Sequence, residues 1–270
     1  MRIAAVRDRG YHYRLNMPGQ GMETAAIRVT GLVKRYNGSD EATVNGLDLE
    51  VREGEIFGLL GPNGAGKTTT LSIVCGLLKA TSGGVQVLGE DVTRHPGRIK
   101  HLLGFVPQDI ALYPTLTARE NLEFFGRMHG LYGAALKARV AELLTVVGLE
   151  KSADRRISTF SGGMKRRANL AAGVIHQPRL LVLDEPTVGI DAQSRGLIFE
   201  NLRTLSGAGK TMVYATHYME EAQKLCTRVA IMDSGRVLLQ GPPGQLVAER
   251  PGCRNLEELF LELTGRSLRD

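Results

Sequence analysis

The feature that most restricts what this chain can become is Gly61-Pro-Asn-Gly-Ala-Gly66-Lys67-Thr68, which fits the pattern GxxxxGK[ST] in full. It follows an apolar run, Glu55–Leu60 (EIFGLL), suited to a central strand. It precedes Lys67–Leu78, where Leu71, Val74, Cys75 and Leu78 share one helical face. Strand, glycine-rich loop and helix in that order form the setting the pattern requires. Glycines let successive amides turn inward around anionic oxygens, and the helix N-terminus adds positive potential. Lys67 is placed to neutralise the β and γ phosphates of a nucleotide, and the Thr68 hydroxyl to ligate magnesium.

A phosphate loop of this kind needs a sheet around it, and the chain supplies further strands. Ala26–Leu32 and Leu47–Val51 read as strands, and Gly83-Gly84 end the helical region and admit a strand at Val85–Leu88. Thr117 and Glu120 form a capping box that opens a helix running through Met128, and Ala134–Val147 is helical again. Alternation then resumes with the strand Leu180–Asp184, a helix at Gln193–Leu205 and the strand Met212–Ala215. Arg228–Met232 and Arg236–Gln240 flank Asp233-Ser234-Gly235 and read as a closing hairpin. The helical stretch, about 109–170, interrupts strand–helix alternation and reads as a lobe inserted into a nucleotide-binding core.

Two acids stand where a buried strand ends, in Leu180-Leu-Val-Leu-Asp184-Glu185. Adjacent carboxylates at the exit of a core strand need a cation or water to face. Asp184 is assigned to the magnesium shell, and Glu185 to orienting and deprotonating the attacking water. A guanine-reading NKxD segment is missing from the sequence, so ATP is the expected nucleotide. Tyr36, in VKRYNG, is a candidate stacking surface for adenine and equally a plain core or surface aromatic. His217, in ATHYMEEA, follows an apolar strand at the edge where open sheets bind ligands, and is a candidate γ-phosphate contact. Gln108, in FVPQD, ends another short strand and offers an amide oxygen to magnesium or water.

Taken together, GPNGAGKTT, FVPQD, FSGGMKRR, LLVLDEPTVGID and ATHYMEEA, in this order, resemble the ATP-binding subunit of ATP-binding cassette (ABC) transporters. The resemblance extends over about Ile27 to Asp270. It implies an α/β fold: a P-loop nucleotide-binding core with an inserted helical subdomain and an N-terminal antiparallel β-subdomain. It implies that Tyr36 stacks on adenine, that Gly61, Pro62, Asn63, Gly64, Ala65, Gly66, Lys67, Thr68 and Thr69 wrap the phosphates, and that Gln108 couples the site to a membrane partner. Glu185 becomes the catalytic base, His217 the γ-phosphate sensor, and Asp191 part of a loop that reaches across a dimer. Ser161, Gly162 and Gly163 would close over the ATP held by a second copy, so that each of two sites takes one motif from each chain. Phe160 and Met164 depart from the commonest residues of the signature without removing a phosphate contact.

The segments THYMEEAQKLCTRVAIMDSGR and NLEELFLELTGRSLRD resemble the exporter branch whose membrane partners are of the ABC-2 type. An importer subunit and a non-transport cassette ATPase are the alternatives at this stage. The expected assembly is an ATP-bound homodimer against integral permease subunits, peripheral on the cytoplasmic side of the cell membrane. Apolar runs in the chain are far shorter than the roughly 18–20 residues that span a bilayer. Net charge is +6 with aromatics at 5% and no tryptophan, and no nucleic-acid reading module is visible, so nucleic acid is not an expected partner. Three cysteines without paired spacing argue against a disulfide framework or zinc site. Residues 1–25 are expected to form a disordered extension, with Met17 and Met22 as alternative starts; 26–250 form the ATP-binding domain and 251–270 a tail.

Overall fold

The computed structural model describes residues 25–265; the expected N-terminal extension lies almost wholly outside them. The described residues begin with two strands, β1 (Ala25–Lys34) and β2 (Val44–Arg52), paired antiparallel. The run expected as central becomes β3 (Ile56–Leu60), all five residues of which are buried. Such a run is what a parallel strand covered on both faces requires. The phosphate loop leads from it into α1 (Lys67–Val74), then β4 (Ser82–Val87) and the short β5 (Glu90–Asp91). After α2 (Pro96–Leu102) and β6 (Leu103–Val106) come the lobe helices α3 (Ala118–Met128), α4 (Gly133–Val146) and α5 (Gly162–Gly173). The chain then runs through β7 (Leu180–Asp184), α6 (Ala192–Gly207), β8 (Thr211–Thr216) and α7 (Met219–Leu225). It continues with the hairpin β9 (Arg228–Asp233) and β10 (Arg236–Gly241), then α8 (Pro243–Ala248) and α9 (Leu256–Thr264).

These strands form two sheets. One is antiparallel, in the order β2-β1-β4-β5; the other has the order β10-β9-β3-β8-β7-β6, parallel except for the terminal hairpin. The fold is therefore the expected α/β core with an antiparallel N-terminal sheet and a helical subdomain. One apolar core lies between the two sheets around α1, with Phe57, Leu59 and Leu71 beside Ile27 and Val87. The other joins the opposite face of the parallel sheet to the lobe helices and to Leu256, Leu259 and Phe260 of α9. Since β3, β7 and β8 run parallel, their carboxyl ends open on one edge, and the functional loops follow from that edge.

Three local expectations differ. Helix α1 stops at Val74 rather than Leu78, because Gly76 takes a φ of 68° and turns the chain away, leaving Leu77 exposed. Gly83 and Gly84 lie inside β4 instead of ahead of it: Gly84 pairs with Thr30, and a Cβ on Gly83 would fall 2.4 Å from the Gly31 carbonyl oxygen. Helix α2 was not anticipated; it is short, begins on Pro96 and buries only Ile99, so it carries no readable apolar period. The capping box is formed as expected, with Glu120 N donating to Thr117 Oγ1 at 3.1 Å and Thr117 N to Glu120 Oε2 at 2.8 Å. Among the described residues, no helix is long and apolar enough to cross a membrane.

Candidate functional site

The phosphate loop is shaped from beneath by its neighbours. Gly66 caps α1 with a φ of 98°, and a Cβ there would sit 2.7 Å from the Thr43 carbonyl oxygen, so glycine is required by conformation and by space together. Lys67 is the first residue of α1 and is only 5% exposed. Its Nζ donates to the carbonyl oxygens of Gly61 (2.8 Å) and Pro62 (3.1 Å) and lies 3.3 Å from Glu185 Oε1. Burial pushes the Lys67 ammonium below the ordinary lysine pKa, and the charge of Glu185 opposes that shift.

Asp184 ends β7 and is buried. Desolvation raises its pKa, while a hydrogen bond with the Thr68 side chain lowers it. Its Oδ1 is buried and has no hydrogen-bond partner. A buried carboxylate oxygen left open beside a threonine hydroxyl at a helix start suits a hard cation. Among the described residues no group of three or more His, Cys, Asp or Glu could hold a metal by itself. Thr68 and Asp184 would be the protein side of a magnesium shell that is otherwise completed by phosphates and water.

Glu185 leaves the strand through a sharp turn. Its φ is 47°, uncommon for a residue with a side chain and costing about 1–3 kcal/mol. Its N–H donates to the Ala215 carbonyl at 3.0 Å, which anchors the turn to β8. The turn brings the carboxylate between two bases, Lys67 on Oε1 and His217 on Oε2, where His217 Nδ1 lies 2.8 Å away. That approach is within ion-pair range without the alignment of a hydrogen bond. Lys67 at the start of α1, Glu185 and His217 follow the carboxyl ends of β3, β7 and β8, so adjacent parallel strands deliver the three groups to one point.

Tyr36 lies in the loop after β1, 44% exposed, with its hydroxyl 3.4 Å from Thr69 Oγ1 and Lys34 Nζ 5.1 Å from the ring centroid. Gln108 is exposed just past β6; its backbone oxygen accepts from Arg166, which also donates to the Val188 carbonyl at 3.2 Å. Arg166 thereby ties the Gln108 loop to the loop after β7, a link sequence reading missed although the basic run Lys165–Arg167 was its visible trace. Sequence reading also missed Thr187, Tyr214 and Glu221, a buried polar set behind the site.

Ser161, Gly162 and Gly163 start α5. Ser161 caps the helix, its Oγ accepting from Met164 N at 3.3 Å. A Cβ on Gly163 would lie 2.1 Å from Ser194 Oγ, so this glycine is also demanded by packing against α6. Asp191 caps α6 and accepts from Ser194 N (2.8 Å) and Ser194 Oγ (2.7 Å). Those bonds hold its carboxyl below the usual aspartate range. Ser161–Gly163 and Asp191 thus belong to one patch, on elements other than those that carry the phosphate loop.

A parallel sheet with a phosphate loop, a strand-end acid pair and a histidine across from it defines a P-loop ATPase. The comparisons give its family. The model of the ABC transporter family matches residues 44–188, and the chain belongs to that family as an ATP-binding cassette ATPase domain. It is 49% identical over 226 residues to the linearmycin resistance ATP-binding protein LnrL of Bacillus subtilis (strain 168), covering 84% of this chain and 72% of that one. It is 44% identical over 241 residues to the Nod factor export ATP-binding protein I of Ralstonia nicotianae, covering 89% and 74%. Among solved structures it is similar to a dimeric ATP-binding cassette in a post-hydrolysis state bound to ADP and Pi, with a TM-score of 0.74, 27% identity, and coverage of 80% of this chain and 98% of that one.

Proposed function

We propose that this chain is the ATP-hydrolysing subunit of an ABC-2-type exporter, working as an ATP-closed homodimer peripheral to the cytoplasmic face of the cell membrane. The exporter reading is carried by its similarity to two relatives named for resistance and for export. The homodimer is supported by the likeness to a dimeric cassette. It also agrees with the placement of Ser161–Gly163 and Asp191 together on elements separate from the phosphate loop.

The chemistry follows from these contacts. Lys67 Nζ donates to the Gly61 and Pro62 carbonyls and lies 3.3 Å from Glu185 Oε1. Phosphate oxygens are stronger partners for its donors than carbonyls, so binding draws the ammonium toward them. That exchange releases Glu185 Oε1 to accept a proton from water, while His217 keeps Oε2 in place and faces the charge developing on the transferred group. Thr68, Asp184 and Gln108 would hold magnesium, which when bound would supply neutralisation of phosphate charge. Tyr36 offers its ring to adenine, and the backbone of Gly61–Thr69 cradles the phosphates.

Coupling to the permease is assigned to the groove beside Gln108. It is lined by Leu77, Phe105, Pro107 and Met128, of which Leu77 is 63% and Met128 68% exposed. Affinity capture of tagged Glu185→Gln protein with magnesium ATP from gently solubilised native membranes tests the proposal. Recovery of a polytopic membrane protein supports it and names the permease; recovery of soluble partners alone, with the ATP-bound dimer intact, refutes the transport assignment.

A further inference from the structure

Behind the Glu185–His217 contact lies an acid that the reaction above does not use. Glu221, on α7, is 2% exposed. Its Oε2 accepts from Thr187 Oγ1 at 2.7 Å, from the Tyr214 hydroxyl at 2.7 Å and from Thr216 Oγ1 at 3.4 Å. The Thr187 and Tyr214 hydroxyls are themselves 3.1 Å apart. Oε1 lies 3.5 Å from Arg195 Nε, near enough for charge but not aligned as a hydrogen bond. One carboxylate oxygen therefore gathers hydroxyls from the loop after β7, the middle of β8 and the end of β8.

The positions of these hydroxyls along the chain give the contact its meaning. Thr187 stands two residues past Glu185, with Pro186 between them, and proline's fixed φ transmits the placement of one to the other with little play. Thr216 stands directly before His217, and its Oγ1 also accepts from Tyr218 N at 3.0 Å, closing the turn that carries the histidine. Glu185 and His217 meet at 2.8 Å in front. Behind them, Thr187 and Thr216 end on the same oxygen. Burying a carboxylate is unfavourable unless its partners are in place, so the three hydroxyls on Oε2 favour the one arrangement that keeps them together.

We propose that Glu221 is a positioning residue for ATP hydrolysis, setting the distance between Glu185 and His217 by fastening Thr187 and Thr216 to one point. It acts through those residues and touches no nucleotide. The inference rests on the assignment of Glu185 and His217 to the hydrolytic site.

The test uses the full chain with Glu221→Ala, Glu221→Gln and Thr187→Val, and Glu185→Gln as a reference for the assignment beneath it. Folding is checked by circular dichroism and thermal unfolding, ATP affinity by equilibrium binding, and turnover by phosphate release. A misplacement of a fraction of an ångström to 1 Å at reacting groups lowers kcat by about 10- to 100-fold, and that is the loss expected for Glu221→Ala and Thr187→Val, with little change in ATP affinity. Glu221→Gln keeps an oxygen acceptor for the hydroxyls and should recover most of the rate. A purely structural role would instead lower affinity, turnover and melting temperature together, with no split between binding and kcat. Wild-type kcat in folded Glu221→Ala, or in Thr187→Val should Glu221→Ala not fold, overturns the inference. Wild-type turnover by Glu185→Gln shows that the base assignment itself has failed; near-zero turnover there beside full activity in Glu221→Ala refutes the positioning role alone.

Discussion

Replacing Glu185 with glutamine should separate ATP binding from ATP hydrolysis, and the structure sets the size of both effects. Glutamine has the same length and faces the same left-handed backbone at φ 47°, so the strain of the turn is common to both proteins. What disappears is one negative charge and one proton acceptor. A positioned general base contributes about 10²- to 10⁴-fold, equivalent to roughly 3–5 kcal/mol of barrier. On the binding side, Glu185 Oε1 lies 3.3 Å from Lys67 Nζ, a gross attraction of about 5 kcal/mol at an effective dielectric near 20 before the cost of burying both charges. Lys67 retains the Gly61 and Pro62 carbonyls in the variant, and incoming phosphates no longer compete with a carboxylate for its ammonium. ATP affinity is therefore expected to hold or rise while kcat falls at least about 100-fold. Equilibrium binding of a fluorescent ATP analogue and single-turnover phosphate release on the same preparation measure the two quantities. Turnover above about a tenth of wild type would refute the base assignment, and a weakened ATP affinity would refute the competition argued for Lys67.

Lys67→Ala should raise the Kd for ATP about 10- to 100-fold, since a hydrogen bond to a charged partner contributes about 1.5–3 kcal/mol; unchanged affinity in an equilibrium titration would exclude Lys67 from the phosphate site. The same lysine gives a pH dependence of known sign. Burial lowers its pKa below 10.5, so the charged form that binds phosphate is lost as pH rises through that lowered value, and ATP affinity should decline at a midpoint below 10.5, a decline that Lys67→Ala removes. Gly163→Ala places a methyl group 2.1 Å from Ser194 Oγ and should lower stability by about 1–3 kcal/mol, read as a fall in melting temperature that Ser194→Gly partly reverses; an unshifted transition in the single variant contradicts the packing. Tyr36→Ala should weaken ATP binding by about 1–3 kcal/mol while Tyr36→Phe stays near wild type, and equal losses in both would assign the effect to the hydroxyl near Thr69 rather than to stacking.

Much of the candidate site was legible because its information is contiguous. The phosphate loop carries strand, turn and helix start within about fifteen residues of sequence, and Thr117-x-x-Glu120 encodes its own helix cap. Asp184 and Glu185 announce themselves as acids that a buried strand would not otherwise keep. The closing hairpin is written in Asp233-Ser234-Gly235, with Ser234 and Gly235 both at positive φ. The places where reading failed share a cause as well. The end of α1, the glycines inside β4 and the existence of α2 depend on which distant backbone lies alongside, and a local apolar period holds no record of that.

The sequence by itself determined that this chain builds a P-loop core, which side chains could face a nucleotide, and in what order the strands that carry them occur. Only the tertiary structure decided how Lys67, Glu185 and His217 converge, because parallel pairing of β3, β7 and β8 brings together residues far apart in the chain. It also decided that Gly163 must be bare for Ser194, that Arg166 bridges the Gln108 and Val188 loops, and that Glu221 binds Thr187, Tyr214 and Thr216 to one oxygen. The reason is one of range: propensities, caps and turns act over a few residues, whereas a buried polar group must find its partner wherever folding has placed one.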